Sequence, residues 1–451
     1  MKPGITARER ALFILHRIER QGGYSNRVLD LVLGRDPDMS DVDKGLVTEL
    51  VYGVLRQRES LDFAIRFVVS KRPKDLHPSL LRILRLGVYQ ILFLRKIPAA
   101  AAVSTTVEIC KRMGKGTWAS LANASLKRLA ERKDELHWPD WESDPIGYLT
   151  VIGSHQRWLA ELFFKQIGSK SKAFVEAGNR PARVCLRSRQ GDDLTAIQTE
   201  LASMGIRSEK SGLVKGALRL ERPGTLGKFA FLKNARAAIQ DEASQLITFL
   251  LDPEPGTSLL DVCAAPGGKT FHAADLMKDS GKIIALDLYH SKIEAMDREA
   301  ARLGLESVRT MQADMSVSLP KEFEKGFEQV LVDAPCSNTG TLRRHPEKRW
   351  RLKKGDLESL SKLQSRILSN AAGAVKPKGV LVYSVCSITR QEGEDVISGF
   401  LDEHPEFCIE PPVDRKRISW QPFLTGQGMI RTWPHEHDMD GFFAARLRRL
   451  E

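Results

Sequence analysis

At 451 residues the chain exceeds one ordinary core, and its length points to about three domains. With 42% hydrophobic and 28% charged residues and no apolar run near the roughly 18 residues that span a bilayer, it reads as globular, with no membrane partner. Sixty-nine Lys+Arg against 57 Asp+Glu leave a net charge of +12, which favours a polyanionic partner, nucleic acid or an anionic surface.

The opening MKPGITARERALFIL places arginine and glutamate where a secretory signal carries an apolar core, so a cytoplasmic location is expected. Residues 1–138 then show helical periods and almost no strand signal. Examples are RERALFILHRI, SDVDKGLVTELVYGVLRQR with Ser40 as N-cap, and a helix from Pro78 with Leu81, Leu84, Val88, Ile91 and Leu92 at helical spacing. Arg82 and Arg85 are expected only at the edges of that apolar face. The spacing predicts an all-α domain of five to seven helices.

HWPDWESDP, rich in proline and acids, reads as a linker. Residues 139–236 combine it with a small α+β module: a helix in SHQRWLAELFFKQIG, a strand-like run ARVCLRSRQ, and a helix DDLTAIQTELASMG ending at Gly205. Its topology does not follow from the sequence. From 237 to 451 strands and helices alternate regularly, the mark of a doubly wound parallel sheet. TSLLDVC, KIIALD, SVRTMQAD, EQVLVD and GVLVYSV are the strands, and MIRTW with GFFAARLRR supplies a final antiparallel pair.

In such sheets ligands bind beyond the carboxyl ends of the strands, near the point where strand order reverses. The first strand runs into Asp261-Val-Cys263-Ala264-Ala265-Pro266-Gly267-Gly268-Lys269-Thr, whose glycines permit a tight turn and close ligand approach. It is not the dinucleotide G-x-G-x-x-G motif. The second strand ends at Asp287, an acid suited to ribose hydroxyls, and the third at Asp314, placed to meet an adenine amino group. Capping of the next helix accounts for either acid singly, but less readily for all three strand ends together. A nucleoside-bearing cofactor is the expectation.

Six cysteines occur, at 110, 185, 263, 336, 386 and 408, without a C-x-x-C pair; neither a metal site nor a disulfide framework is expected. Two of them stand out. Asp333-Ala-Pro-Cys336-Ser-Asn-Thr-Gly follows the fourth strand and Tyr383-Ser-Val-Cys386-Ser-Ile-Thr the fifth. A lone cysteine is more often a buried hydrophobe, but two just past neighbouring strand ends are catalytic candidates.

DVCAAPGGKT, ALD, QAD, DAPCSNTGTLRRHPEKRW, LQSRIL, LVYSVCS and DGFFAARL together resemble the Sun/RsmB-type cytosine carbon-5 ribosomal RNA methyltransferases, and the N-terminal domain is similar to the NusB fold. The likeness spans nearly the whole chain and is weakest over about 139–236. Asn338 departs from it where glycine or alanine is usual, and Val385 where threonine is common. The resemblance implies a multidomain chain: a NusB-like helical RNA-binding domain, a small α+β module and a Rossmann-like class I methyltransferase domain. It implies S-adenosylmethionine held by residues 263–269, Asp287, Asp314 and Asp333. It also implies Cys386 as the sulfur that adds to carbon 6 of cytosine, Asp333 as the partner of ring nitrogen 3, and Cys336 in the release step.

The stretch TLRRHPEKRWRLKKGD follows the first cysteine. Arg343, Arg344, His345, Lys348, Arg349 and Trp350 are expected there as RNA contacts, although a solvated basic helix start would look the same. A 16S ribosomal RNA substrate and a monomeric enzyme are expected. The alternatives are a transfer RNA cytosine-5 methyltransferase, a DNA cytosine methyltransferase, and a non-enzymatic ribosome-assembly factor on a methyltransferase scaffold.

Overall fold

A computed structural model of the chain describes residues 5–189, 194–221, 224, 226–412 and 418–451. It divides into two compact units, Met1–Pro181 with Leu342–Leu352, and Ala182–Thr341 with Lys353–Glu451.

The first unit is all-α. Seven helices from Ile5–Gln21 to Gly116–Arg132 occupy the span where helical periodicity predicts them. Ser40 caps Asp41–Arg56 as expected, its Oγ accepting from the Asp43 amide at 3.1 Å. The helix Pro78–Phe93 differs from its reading: Arg82 and Arg85 are buried, not marginal. A buried guanidinium needs a full set of acceptors. Arg85 makes a two-pronged bond to Asp62, with both contacts at 2.7 Å, and Arg82 reaches Glu19 at 2.6 Å.

The unit also extends past the expected boundary at 138. Helices Pro145–Val151, Arg157–Ile167 and Lys170–Gly178 belong to it, so the WPDW segment is no free linker. Trp138 stacks on Phe63 with centroids 5.2 Å apart, and Trp141 meets Tyr148 and Phe164 edge-on. Aromatic burial outweighs the turn-forming prolines and acids here.

The basic stretch after Cys336 is a second departure. Leu342–Leu352 packs within the helical unit, and its charges serve that packing. Arg349 is fully buried. Its Nη2 donates to the Gly178 carbonyl at 2.6 Å, and its Nη1 donates to Asn179 Oδ1 at 2.6 Å and to the carbonyls of Arg56, Gly153 and Ser154. Trp350 Nε1 donates to the Leu55 carbonyl, and Arg351 bonds the carbonyls of Ile18, Gly22 and Gly23.

In the second unit four short strands come first: β1 (Val184–Ser188), β2 (Ser208–Lys210), β3 (Ala217–Leu220) and β4 (Ala237–Ile239). They form an antiparallel sheet ordered β2-β3-β1-β4. The helix read as DDLTAIQTELASMG is Leu194–Ser203; residues 192 and 193, and Gln190 of the preceding strand-like run, lie outside the described residues.

The main sheet contains β5 (Ser258–Asp261), β6 (Lys282–Asp287), β7 (Val308–Gln312), β8 (Phe327–Asp333), β9 (Val375–Val385), β10 (Phe407–Ile409), β11 (Ile430–Arg431) and β12 (Phe443–Arg449). Its order is β10-β12-β9-β8-β5-β6-β7, with β11 paired to β12. β5 to β9 run parallel, and β12 returns antiparallel to β9. Helices cover the parallel strands on both faces, so the central strands read as continuous apolar runs; Val330, Leu331 and Val332 are all fully buried.

Because Arg349 is a packing residue, Arg349→Ala should destabilise the protein by about 3 kcal/mol in a urea titration, as several buried carbonyls lose their donor. The same variant, refolded, should retain the wild-type salt dependence of RNA binding.

Candidate active site

β5 pairs with β6 on one side and β8 on the other, so strand order changes direction between β5 and β8. The crevice above that junction is where ligands bind in such sheets. From β5 the chain passes through Cys263–Lys269 directly into the helix Gly268–Leu276. Gly267 has φ 99°, and a Cβ there would lie 2.3 Å from the Phe271 ring, so only glycine fits. A Cβ on Gly268 would meet nothing within 4 Å, which leaves the first helical turn open to a ligand.

Asp261, at the floor of this loop, is buried and accepts from Thr270 Oγ1 at 2.8 Å. Burial, with the Asp333 charge adding to it and the Thr270 bond opposing it, pushes the Asp261 carboxyl up to about 7.

Asp287 closes β6, buried; its Oδ1 takes the Tyr289 amide at 3.1 Å and Lys292 Nζ at 3.3 Å. Asp314, two residues past β7, is exposed. Its Oδ1 takes both the Ser316 amide and hydroxyl, which hold the carboxyl below the usual carboxylate range. Each acid thus closes a local turn rather than capping the next helix, and Asp287 still presents Oδ2.

β8 and β9 carry the candidate reacting groups. Their parallel register sets Asp333 opposite Ser384. Lys269 Nζ reaches Asp333 Oδ2 at 2.6 Å, and Ser384 Oγ donates to Asp333 Oδ1 at 2.7 Å. Lys269, expected at the cofactor, therefore extends to the acid of the neighbouring strand. Just beyond, the Cys336 and Cys386 sulfurs lie 3.2 Å apart. The bond to the Cys386 sulfur, then burial, then the Cys386 and Glu392 charges push the Cys336 thiol well above its usual range. Burial first, then Asp261, raises the Cys263 thiol as well, and burial lifts Cys110 to about 11.

Two groups in this cluster escape sequence reasoning. Glu392 is fully buried, with no exposure at all. Its Oε1 accepts from the Ser337 amide and Gln364 Nε2, and its Oε2 from the hydroxyls of Ser337, Ser387 and Thr389. Ser337 and Ser387 each follow a cysteine, so one carboxylate ties both loops together. Its sequence signal, Thr389-Arg-Gln-Glu392, is that of an ordinary helix capping box. Asn338 is the second: its Nδ2 lies 3.0 Å from Cys386 Sγ.

The expected RNA contacts belong to the helical unit. Arg343 and Arg349 are buried in the helical unit, Trp350 is half-buried there beneath Arg58, and His345 and Lys348 pack on Tyr24. Arg344 is half-buried in the same segment. The reason is the anchoring of Leu342–Leu352 described above: a guanidinium buried among backbone carbonyls is shut off from a phosphate.

The sheet order, the glycine turn and the acid at the end of β6 define a class I methyltransferase that uses S-adenosylmethionine, and the open turn at Gly268 beside Asp287 fits that cofactor. Family models agree: residues 248–448 match the 16S rRNA methyltransferase RsmB/F model and residues 5–131 the NusB family. The chain is 35% identical to the probable ribosomal RNA small subunit methyltransferase B of Bacillus subtilis, covering 98% of this chain and 99% of that one. It is 34% identical to ribosomal RNA small subunit methyltransferase B of Thermus thermophilus, over 99% and 98%. A solved structure titled PH0851 superposes with a TM-score of 0.83 at 27% identity, covering 99% of both chains. The protein belongs to the RsmB/F family of methyltransferases.

The raised Asp261 carboxyl has a sign that can be measured. The unfolded chain releases this proton near pH 3.9 and the folded chain near 7, so ionisation opposes folding as pH rises between them. From about pH 5 to about pH 8 the wild type should lose about 3 kcal/mol more stability than Asp261→Asn, compared by denaturant titration at each pH.

Proposed function

We propose that this protein methylates carbon 5 of a cytosine in small-subunit ribosomal RNA through a covalent bond from Cys386 to carbon 6. The observation that carries the proposal is the pair of sulfurs 3.2 Å apart beside Asp333, at the ends of two parallel strands bordering the cofactor crevice. The ribosomal substrate is supported by the names of the relatives in Bacillus and Thermus.

When bound, S-adenosylmethionine supplies an electrophilic methyl group on a sulfonium. Cytosine carbon 5 is too electron-poor to accept it unaided. The Cys386 sulfur adds to carbon 6, and the electrons of the 5,6 double bond shift toward carbon 5, which makes it nucleophilic. The Cys336 thiol, pushed well above its usual range, lies 3.2 Å from the attacking sulfur, which supports the unequal assignment of the two.

Asp333 meets ring nitrogen 3 and the exocyclic amine, and a proton held at nitrogen 3 stabilises the adduct. Lys269 and Ser384 fix the orientation of its carboxylate. Once carbon 5 carries the methyl group, a water-derived base takes its proton, the carbon–hydrogen pair restores the 5,6 double bond, and the carbon 6–sulfur bond breaks with its pair returning to Cys386. Cys336 takes part in this release. The base must leave its stack to reach the sulfur, so an unpaired or flipped cytosine is required.

The cysteines should give opposite signatures. Cys386→Ala should form no covalent RNA complex and turn over below about one-thousandth of the wild-type rate. Cys336→Ala should lose turnover and accumulate the complex, seen as a band shifted on a denaturing gel. Absence of that band would remove the assignment. Bisulfite sequencing of small-subunit ribosomal RNA from cells with and without the active gene should locate the cytosine.

A further inference from the structure

We propose that Asn338 is a catalytic hydrogen-bond donor that favours the ionised form of the Cys386 sulfur. The inference rests on Cys386 being the attacking sulfur, as set out above. Asn338 lies two residues beyond Cys336, with φ 61°, in the left-handed region that asparagine tolerates better than most residues. Its carbonyl accepts from the Thr341 amide at 3.0 Å and hydroxyl at 3.1 Å, which closes the turn and pins the backbone. The Gly340 amide donates to the Cys386 carbonyl at 3.1 Å, locking this loop to the next. The side chain so placed brings Nδ2 to 3.0 Å from Cys386 Sγ.

A carboxamide nitrogen has N–H groups and no lone pair to offer, so this contact acts in one direction only. It strengthens as the sulfur gains negative charge, because hydrogen bonds to an ionised acceptor are the stronger kind. The surroundings provide little other help. The ammonium of Lys269 is committed to Asp333. Glu392 adds a buried negative charge behind both loops. Asn338 is a donor that offsets it, and the Cys336 sulfur lies 3.2 Å from that of Cys386.

The test uses the full-length protein, with iodoacetamide as probe. A thiolate displaces iodide to leave a thioether, so the rate at Cys386, followed by peptide mass spectrometry, reports the ionised fraction. Asn338→Gly keeps the backbone conformation and removes the donor; Asn338→Asp keeps the shape and puts an anion at the sulfur. At neutral pH the glycine variant should alkylate Cys386 about tenfold more slowly than wild type, and the aspartate variant more slowly still. The gap should close at high pH, where the thiol is ionised in all three. The exposed Cys408 should react alike throughout and serves as internal reference.

A purely structural role predicts the reverse, since a loosened loop exposes the sulfur and speeds alkylation at every pH. Superimposable pH profiles for wild type and Asn338→Gly, or a faster aspartate variant, would overturn the proposal. No RNA enters this assay, so its failure is distinct from failure of the nucleophile assignment, which shows as a missing covalent complex in wild type.

Discussion

Everything at the candidate site depends on one constraint, the parallel pairing of β8 with β9. Their register sets Asp333 beside Ser384, and each strand then releases a short loop at the same level of the sheet. Two cysteines separated by 50 positions in the chain become neighbours because two parallel strands stop together. A parallel pair requires a crossover, here the helix Asp356–Ala372. Gln364 on that helix bonds the Pro335 carbonyl and Glu392, so the crossover also braces the loops it connects.

Glu392 completes the arrangement from below. Five donors from three segments converge on one carboxylate with no exposure to water. A buried anion of this kind is favourable only when fully satisfied, and removing any partner leaves the others with costly vacancies. That cooperativity suits a site in which the two sulfurs must hold a fixed separation. Preorganisation of this sort places the cost of ordering in folding rather than in each turnover.

Much of this was legible in the sequence where periodicity or spacing reports a backbone event. Alternating apolar segments gave the main sheet, the Gly267-Gly268 pair marked the turn, and positions past strand ends marked Cys336 and Cys386. What escaped depends on partners distant in the chain. Arg349 in a run of seven basic residues looks like a phosphate ligand, yet its acceptors are carbonyls contributed by positions 56, 153, 154 and 178. Charge composition cannot tell a solvated cation from one consumed by backbone oxygens. Arg85 misled in the same way, because its partner Asp62 sits on another helix. Trp138 and Trp141 were hidden by linker-like neighbours, since local turn propensity carries no information about a ring across the fold.

The same limit explains why the sulfurs' unequal character had to come from geometry. Asp-Ala-Pro-Cys and Ser-Val-Cys-Ser are equally prominent motifs, and nothing in either states which thiol keeps its proton. In the folded protein the choice is forced by proximity. Two thiolates 3.2 Å apart beside a buried carboxylate would repel strongly, so only one of the pair can ionise at a time. The sulfur with the additional N–H donor is Cys386, with Asn338 Nδ2 at 3.0 Å. The two thiols thus differ in their surroundings: a carboxamide on a left-handed turn meets Cys386, while the bond to Cys386, burial and the Glu392 charge act on Cys336, features of conformation that residue identity alone does not announce.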